Sequence, residues 1–418
     1  MISTRVGSAA IVVGFVSMAP AAPETTPDVL GSWSAVVDGS PEILRDFAGA
    51  DGLFVAATRG PFGWGDLGRE IFVDVRDPTA PVEIVSNLLS DGTIDHGQSI
   101  ERPGGMRVSG PALEHEEWYF SFDENGVYEA TDYRVRPMPG SDGPSGLRNP
   151  ADGGAGRIDW PMGAFRLAPD GLSIGDFLAG TEHVFPDGFD GMEIWALDEE
   201  RLYMTRSGGV GMSVYDISGM PGDPVLVSGL YPLPGENAVV QDSLLVIGRE
   251  TTSTQQEFTV YDTRPVTGLP VALSTIAVDH SAGLPATVLG LDEGRLYVSV
   301  TYEGLKVFDI VVPSDPRLIA DYASLSPTRK IGFGDGVFYA MGRFEGADRV
   351  VTAGAPALLR CSRSDLAEPF GALDLADITA FVTGFVAGDA IADSELPLGV
   401  LDLADLQAFV SSFNAGCP

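Results

Sequence analysis

Seven acidic residues in the last sixty positions stand at spacings that suit either of two chemistries, oxygen coordination of a cation or the capping of helices. They are Asp365, Asp374 and Asp377, then Asp393, Glu395, Asp402 and Asp405. The two groups are one pattern written twice, 28 residues apart, with Asp-Leu-Ala-Asp at its centre. A calcium loop of the helix–loop–helix kind wants oxygens at positions 1, 3, 5, 9 and 12 with glycine at 6. Counted from Asp365, Gly371 is seventh and Asp377 thirteenth, while Ala367 and Pro369 stand at the third and fifth places. In the second copy Glu395 fills the third place and Pro397 again takes the fifth. The same residues suit a purely structural task. Asp374 and Asp402 can cap helices, with Asp377 and Asp405 at N3 beside the positive end of the helix dipole. The two readings are compatible, and both stay open here.

The only cysteines, Cys361 and Cys417, bracket the doubled pattern and leave no spare thiol nucleophile. A bridge between them closes a loop of about 57 residues and is worth about 4 kcal/mol in the chain-entropy picture. The four histidines, His96, His115, His183 and His280, never stand four apart. His-Glu-x-x-His and Cys-x-x-Cys are missing, which removes the usual zinc-hydrolase and redox signatures. Asp123–Gly126 and Asp292–Gly294 read as tight turns before they read as calcium fragments. The glycine-rich run Gly60–Gly65 lacks the Lys-Ser/Thr and the helix that a phosphate cradle requires.

The elements that position the acidic residues follow from periodicity. Leu375, Ile378, Phe381, Val382 and Phe385 form one apolar stripe at helical spacing, and Leu403, Leu406, Phe409, Val410 and Phe413 repeat it. Two such short helices must pack on each other, since neither is long enough to be stable alone. With the terminal Gly416-Cys417-Pro418, residues 361–418 resemble a bacterial dockerin of the GC type. That resemblance implies an attachment module. The helices bearing Ile378, Phe381, Val382, Phe385, Leu406, Phe409, Val410 and Phe413 would bind a cohesin-like or other surface protein, and calcium would be the cofactor of the paired loops.

Upstream, a longer repeat runs through residues 30–358. Strand, turn, strand ending in Asp, a Pro-containing turn and another strand recur around Asp74, Asp216, Asp262 and Asp309. The last two steps are 46 and 47 residues, and the first gap of 142 spans three. Degenerate units therefore fall at Trp118–Phe122 and Ala164–Leu167, and a seventh ends near Arg349–Thr352. A four-stranded unit at this period predicts an all-β body, a β-propeller of seven blades, with six or eight open because two units are weak. The repeats resemble the LVIVD repeat of secreted bacterial propellers. Each marker Asp is expected to accept backbone N–H bonds from the turn that follows it.

The net charge of −34, from 59 acidic against 25 basic residues, argues against nucleic acid and anionic membranes as partners. Arg5, the apolar run Ala9–Val16 and the small residues after Met18 read as a signal peptide over residues 1–22. Its cleavage would leave no transmembrane anchor. The sequence thus predicts an exported, surface-associated binding or scaffold protein, with an unidentified ligand on the propeller and an anchoring tail. The rival is a tethered hydrolase or lyase acting in the propeller channel, drawing carboxylates from several blades.

Overall fold

The computed structural model describes residues 28–37, 40–50, 53–59, 69–88, 99–102, 105–109, 114–122, 128–137, 157–160, 163–168, 171–176, 181–185, 192–197, 201–206, 212–216, 225–231, 237–241, 243–264, 270–334, 336–393 and 401–417. The signal-peptide reading, the runs Gly60–Gly65 and Asp123–Gly126, His96 and Glu395 lie outside them.

The described residues form a propeller-like body of seven four-stranded antiparallel sheets, followed by two helices. Six sheets are simple meanders in chain order, spanning 43–88, 99–137, 157–185, 192–231, 237–279 and 286–322. The seventh takes three strands from 328–354 and its outermost strand from Val29–Trp33, which pairs antiparallel with Ala347–Gly354. That pairing closes the ring and removes an exposed edge. Gly31 makes it feasible, because a Cβ there would stand 2.4 Å from the carbonyl oxygen of Pro78. The strands expected at Trp118–Phe122 and Ala164–Leu167 lie within Glu114–Phe122 and Gly163–Ala168, in the second and third sheets.

Strand alternation supplies the faces on which the sheets stack. In Gln255–Asp262, Gln256, Phe258 and Val260 are buried and alternate with half-exposed neighbours. Phe258, Val260, Ile276 and Val278 of the fifth sheet meet Ala286, Val288, Val298 and Val300 of the sixth in one buried cluster. Tyr297, Leu305 and Val307 meet Phe338 and Ala340 across the next seam. Phe54, Ala56 and Ile71 of the first sheet meet Tyr339, Met341 and Val350 of the seventh. Each of the valine, leucine, isoleucine, methionine and phenylalanine side chains among them contributes about 1.5–3 kcal/mol on leaving water. No sheet buries both faces alone, which is why the repeat must close on itself.

Three marker aspartates, Asp74, Asp262 and Asp309, do what their position predicts. Asp74 accepts the N–H of Arg76 at 2.9 Å, Asp262 that of Arg264 at 2.7 Å, and Asp309 that of Val311 at 3.0 Å. Asp292 and Arg295 pair across a two-residue turn in which Glu293 and Gly294 both have positive φ, as a tight hairpin demands.

Helix α1 spans Leu375–Ala387 and helix α2 spans Leu403–Ala415. Gly388 ends α1 in the left-handed region at φ 75°. Gly384 lets the short turn Ala390–Ala392 lie against α1, since a Cβ there would stand 2.9 Å from Ile391. Among the described residues no helix is long and apolar enough to cross a membrane.

Candidate functional site

The apolar stripes of the two helices divide when they fold. Phe381 and Phe409 turn inward, 3% and 7% exposed, and stack with centroids 4.1 Å apart and planes 16° from parallel. Phe385 and Phe413 flank them at 5.7 Å from their own-helix partners and are partly buried in the same cluster. The aliphatic members of each stripe face outward: Ile378 and Val382 on α1, Leu406 and Val410 on α2, with Leu375 and Leu403 at the helix starts. Two matched apolar rows result, one on each helix. A groove of about 650 Å³ runs beside α1, lined by Leu375, Thr379, Ala380, Thr383 and Ile391.

The acidic residues sit at the starts of these helices. Asp374 and Asp402 are N-caps, accepting the N–H of Ala376 and of Ala404, each at 2.6 Å. Asp377 and Asp405, fully buried at N3, reach back to the N–H of Asp374 at 2.8 Å and of Asp402 at 2.9 Å, completing two capping boxes. Asp377 also accepts from Leu366 at 2.7 Å and Ala367 at 2.9 Å through its other oxygen. Asp365, equally buried, accepts from Cys361 at 3.0 Å and Gly371 at 2.6 Å through Oδ2, while its Oδ1 has no partner. Asp393 lies beyond the Ala390–Ala392 turn, beside a small cleft of about 40 Å³ against the body. Calcium takes six to eight oxygens. In the first copy the carboxylate oxygens are mostly spoken for by backbone N–H groups, and Ala367 and Pro369 carry none. Those residues do not fit the ion. Among the described residues, no group of three or more His, Cys, Asp or Glu side chains is placed to hold a metal.

Cys361 and Cys417 form the disulfide, with Cα atoms 5.0 Å apart. Immediately before it, Arg360 is completely buried. Its backbone N–H donates to Asp309 Oδ2 at 3.0 Å, and its guanidinium donates to the carbonyl of Asp315 at 2.7 Å and to the Asp315 carboxylate. The guanidinium carbon lies 4.9 Å from the centroid of Phe370. Val312, in the same turn of the sixth sheet, joins Leu366, Phe381, Ala392 and Phe409 in one hydrophobic cluster. The tail therefore docks on the turn between the third and fourth strands of the sixth sheet. Sequence reasoning missed this contact, although a lone arginine directly before the first cysteine was its visible signal.

In the body, His280 is buried, and its Nδ1 lies 3.0 Å from the carbonyl of Ser281. His115 and His183 fall in strands Glu114–Phe122 and Thr181–Phe185, whose backbone alone is described.

No protein-family model matches the chain, and no curated protein does. Among solved structures it is similar to BamB from Moraxella catarrhalis, at 12% identity over 77% of this chain and 91% of that one, TM-score 0.40. It is also similar to Hsv2 of Kluyveromyces lactis, at 11% identity over 72% and 90%, TM-score 0.45. An uncharacterized protein of Listeria monocytogenes matches at 9% identity over 71% and 89%, TM-score 0.42. At these identities the functional reading rests on the residues of the chain itself.

Proposed function

We propose that this is an exported, surface-attached binding or scaffold protein, a seven-bladed LVIVD-like propeller carried by a GC-type dockerin-like tail. The tail holds the protein on a cohesin-like or other surface protein, and the propeller offers a recognition face to a ligand still to be identified. One observation carries the reading. The same outward apolar row, Leu375, Ile378 and Val382 on α1 and Leu403, Leu406 and Val410 on α2, is exposed on both helices while the aromatic residues are spent on the core. A small disulfide-clasped unit gains nothing in stability from exposing these aliphatics twice, whereas a partner surface would bury them.

The test is capture of a surface protein from the producing cell by the full-length chain, compared with a Val382→Asp, Val410→Asp variant. Both positions are about half exposed, so the variant should fold unchanged. Loss of capture with an unchanged melting temperature is the expected result. Equal capture by both proteins would overturn the attachment reading.

A further inference from the structure

The acidic repeats resemble paired calcium loops, yet in the first copy most of the oxygens are already occupied by backbone amides. Asp377 accepts three backbone N–H groups, from Leu366, Ala367 and Asp374, using both oxygens. Asp365 accepts two, from Cys361 and Gly371. Together they tie the strand of chain entering the tail, the turn at Gly371 and the start of α1 into one knot, which is the mechanical task a bound cation performs in a loop of this kind. The second copy repeats the device in part, through Asp405 on Asp402 and Asp402 on Ala404. The orphaned oxygens, Asp365 Oδ1 and its counterpart Asp393 Oδ1 in the second copy, can each take a single water. One such oxygen per copy cannot by itself supply the coordination that calcium requires.

We infer that the tail folds and docks on the body without calcium, its carboxylates acting as acceptors for backbone amides where the resembled loops use an ion. Charge-assisted bonds of this kind are about twice as strong as neutral ones. They are also indifferent to the calcium level outside the cell. The attachment proposed above would then be permanent, not gated by calcium. The inference leans on that proposal only for this consequence, since folding of the tail is measured without any partner.

The experiment uses the full-length oxidised protein in millimolar calcium chloride and, separately, in EDTA. Hydrogen exchange is followed in the peptides spanning 361–377, and calcium chloride is titrated calorimetrically. The expected result is equal protection of the Leu366, Ala367 and Asp374 amides in both media, with no saturable calcium heat. Two variants sharpen the outcome. Asp377→Asn should lose protection at these amides by about tenfold or more in both media, because an amide oxygen cannot replace two carboxylate oxygens. Asp374→Ser with Asp402→Ser should keep it, since serine caps a helix as well as aspartate does. Protection that collapses in EDTA and returns with calcium would overturn the inference, as would a calcium heat abolished by the double serine variant. If instead the Val382→Asp, Val410→Asp protein is still captured by its partner, the attachment reading fails and this one stands.

Discussion

Asp309 does with two backbone N–H groups what Asp74 and Asp262 do with an arginine. In the first and fifth sheets the residue two places on, Arg76 or Arg264, folds its guanidinium back onto the aspartate. In the sixth sheet that residue is Val311, and the second carboxylate oxygen is left for the N–H of Arg360. One exchange at a repeat position thus opens a docking point for the tail. Tyr297 illustrates the opposite situation. Its ring packs 5.1 Å from Phe333 and 5.5 Å from Phe338, and its buried hydroxyl has no hydrogen-bond partner among the described residues. Burial holds its pKa far above the usual phenol value. The folded state keeps the phenol neutral while the unfolded chain ionises from about pH 10. The stability from this group is therefore complete below that pH and is lost as the pH rises beyond it. Tyr297→Phe removes both the orphan hydroxyl and the titration. Urea unfolding should show it about 1 kcal/mol more stable than the parent at neutral pH, with a shallower decline in alkali. A destabilised variant would mean that the hydroxyl is satisfied after all.

At the scale of elements, the core of the tail is two aromatic pairs laid against each other, so its stability should respond steeply to one ring. Phe409→Ala is expected to cost about 3 kcal/mol. The loss should appear as faster exchange in α1 and α2, with the melting of the sheets unmoved. What was legible in the sequence follows the reach of the interactions. The marker Asp of the first, fifth and sixth sheets bonds to a residue two places on, so the repeat announces itself locally, and the strands around Asp74, Asp216, Asp262 and Asp309 stand where the pattern puts them. The capping boxes were readable for the same reason, as Asp374 and Asp377 are three apart. The stripe from Leu375 to Phe385 was visible as apolar, but which side of it faces the partner helix was not. That choice depends on α2 and on Val312, sixty residues earlier. Ring closure was equally hidden, because Trp33 pairs with Val350 and no local spacing records a partner more than three hundred residues away.

At the scale of the whole molecule, body and tail are joined by a contact as well as by chain. Arg360→Ala would take the buried guanidinium from Asp315, leaving that carboxylate its more exposed ion pair with Arg317, and free the tail from the sixth sheet. The loss of hydrogen bonds to a charged partner is expected to cost about 2 kcal/mol, seen as a larger radius of gyration in solution scattering while each part keeps its own melting transition. An unchanged radius would show that Val312 and its hydrophobic neighbours suffice. Reduction of Cys361–Cys417 should act differently, lowering tail stability by about 4 kcal/mol without moving the body's transition. Coincident loss of both would mean that the bond braces the entire protein.

The buried arginine also decides how force enters the molecule. Were the protein held by its helices in a flow, tension would leave the tail through the disulfide-bracketed start at Cys361, pass at once into Arg360, and spread through Asp309 and Asp315 into the turn of the sixth sheet. No slack tether intervenes to absorb it. The ring would therefore not swivel freely on such a mooring: one side would be pressed toward whatever held the tail, and the other would face outward at a fixed bearing.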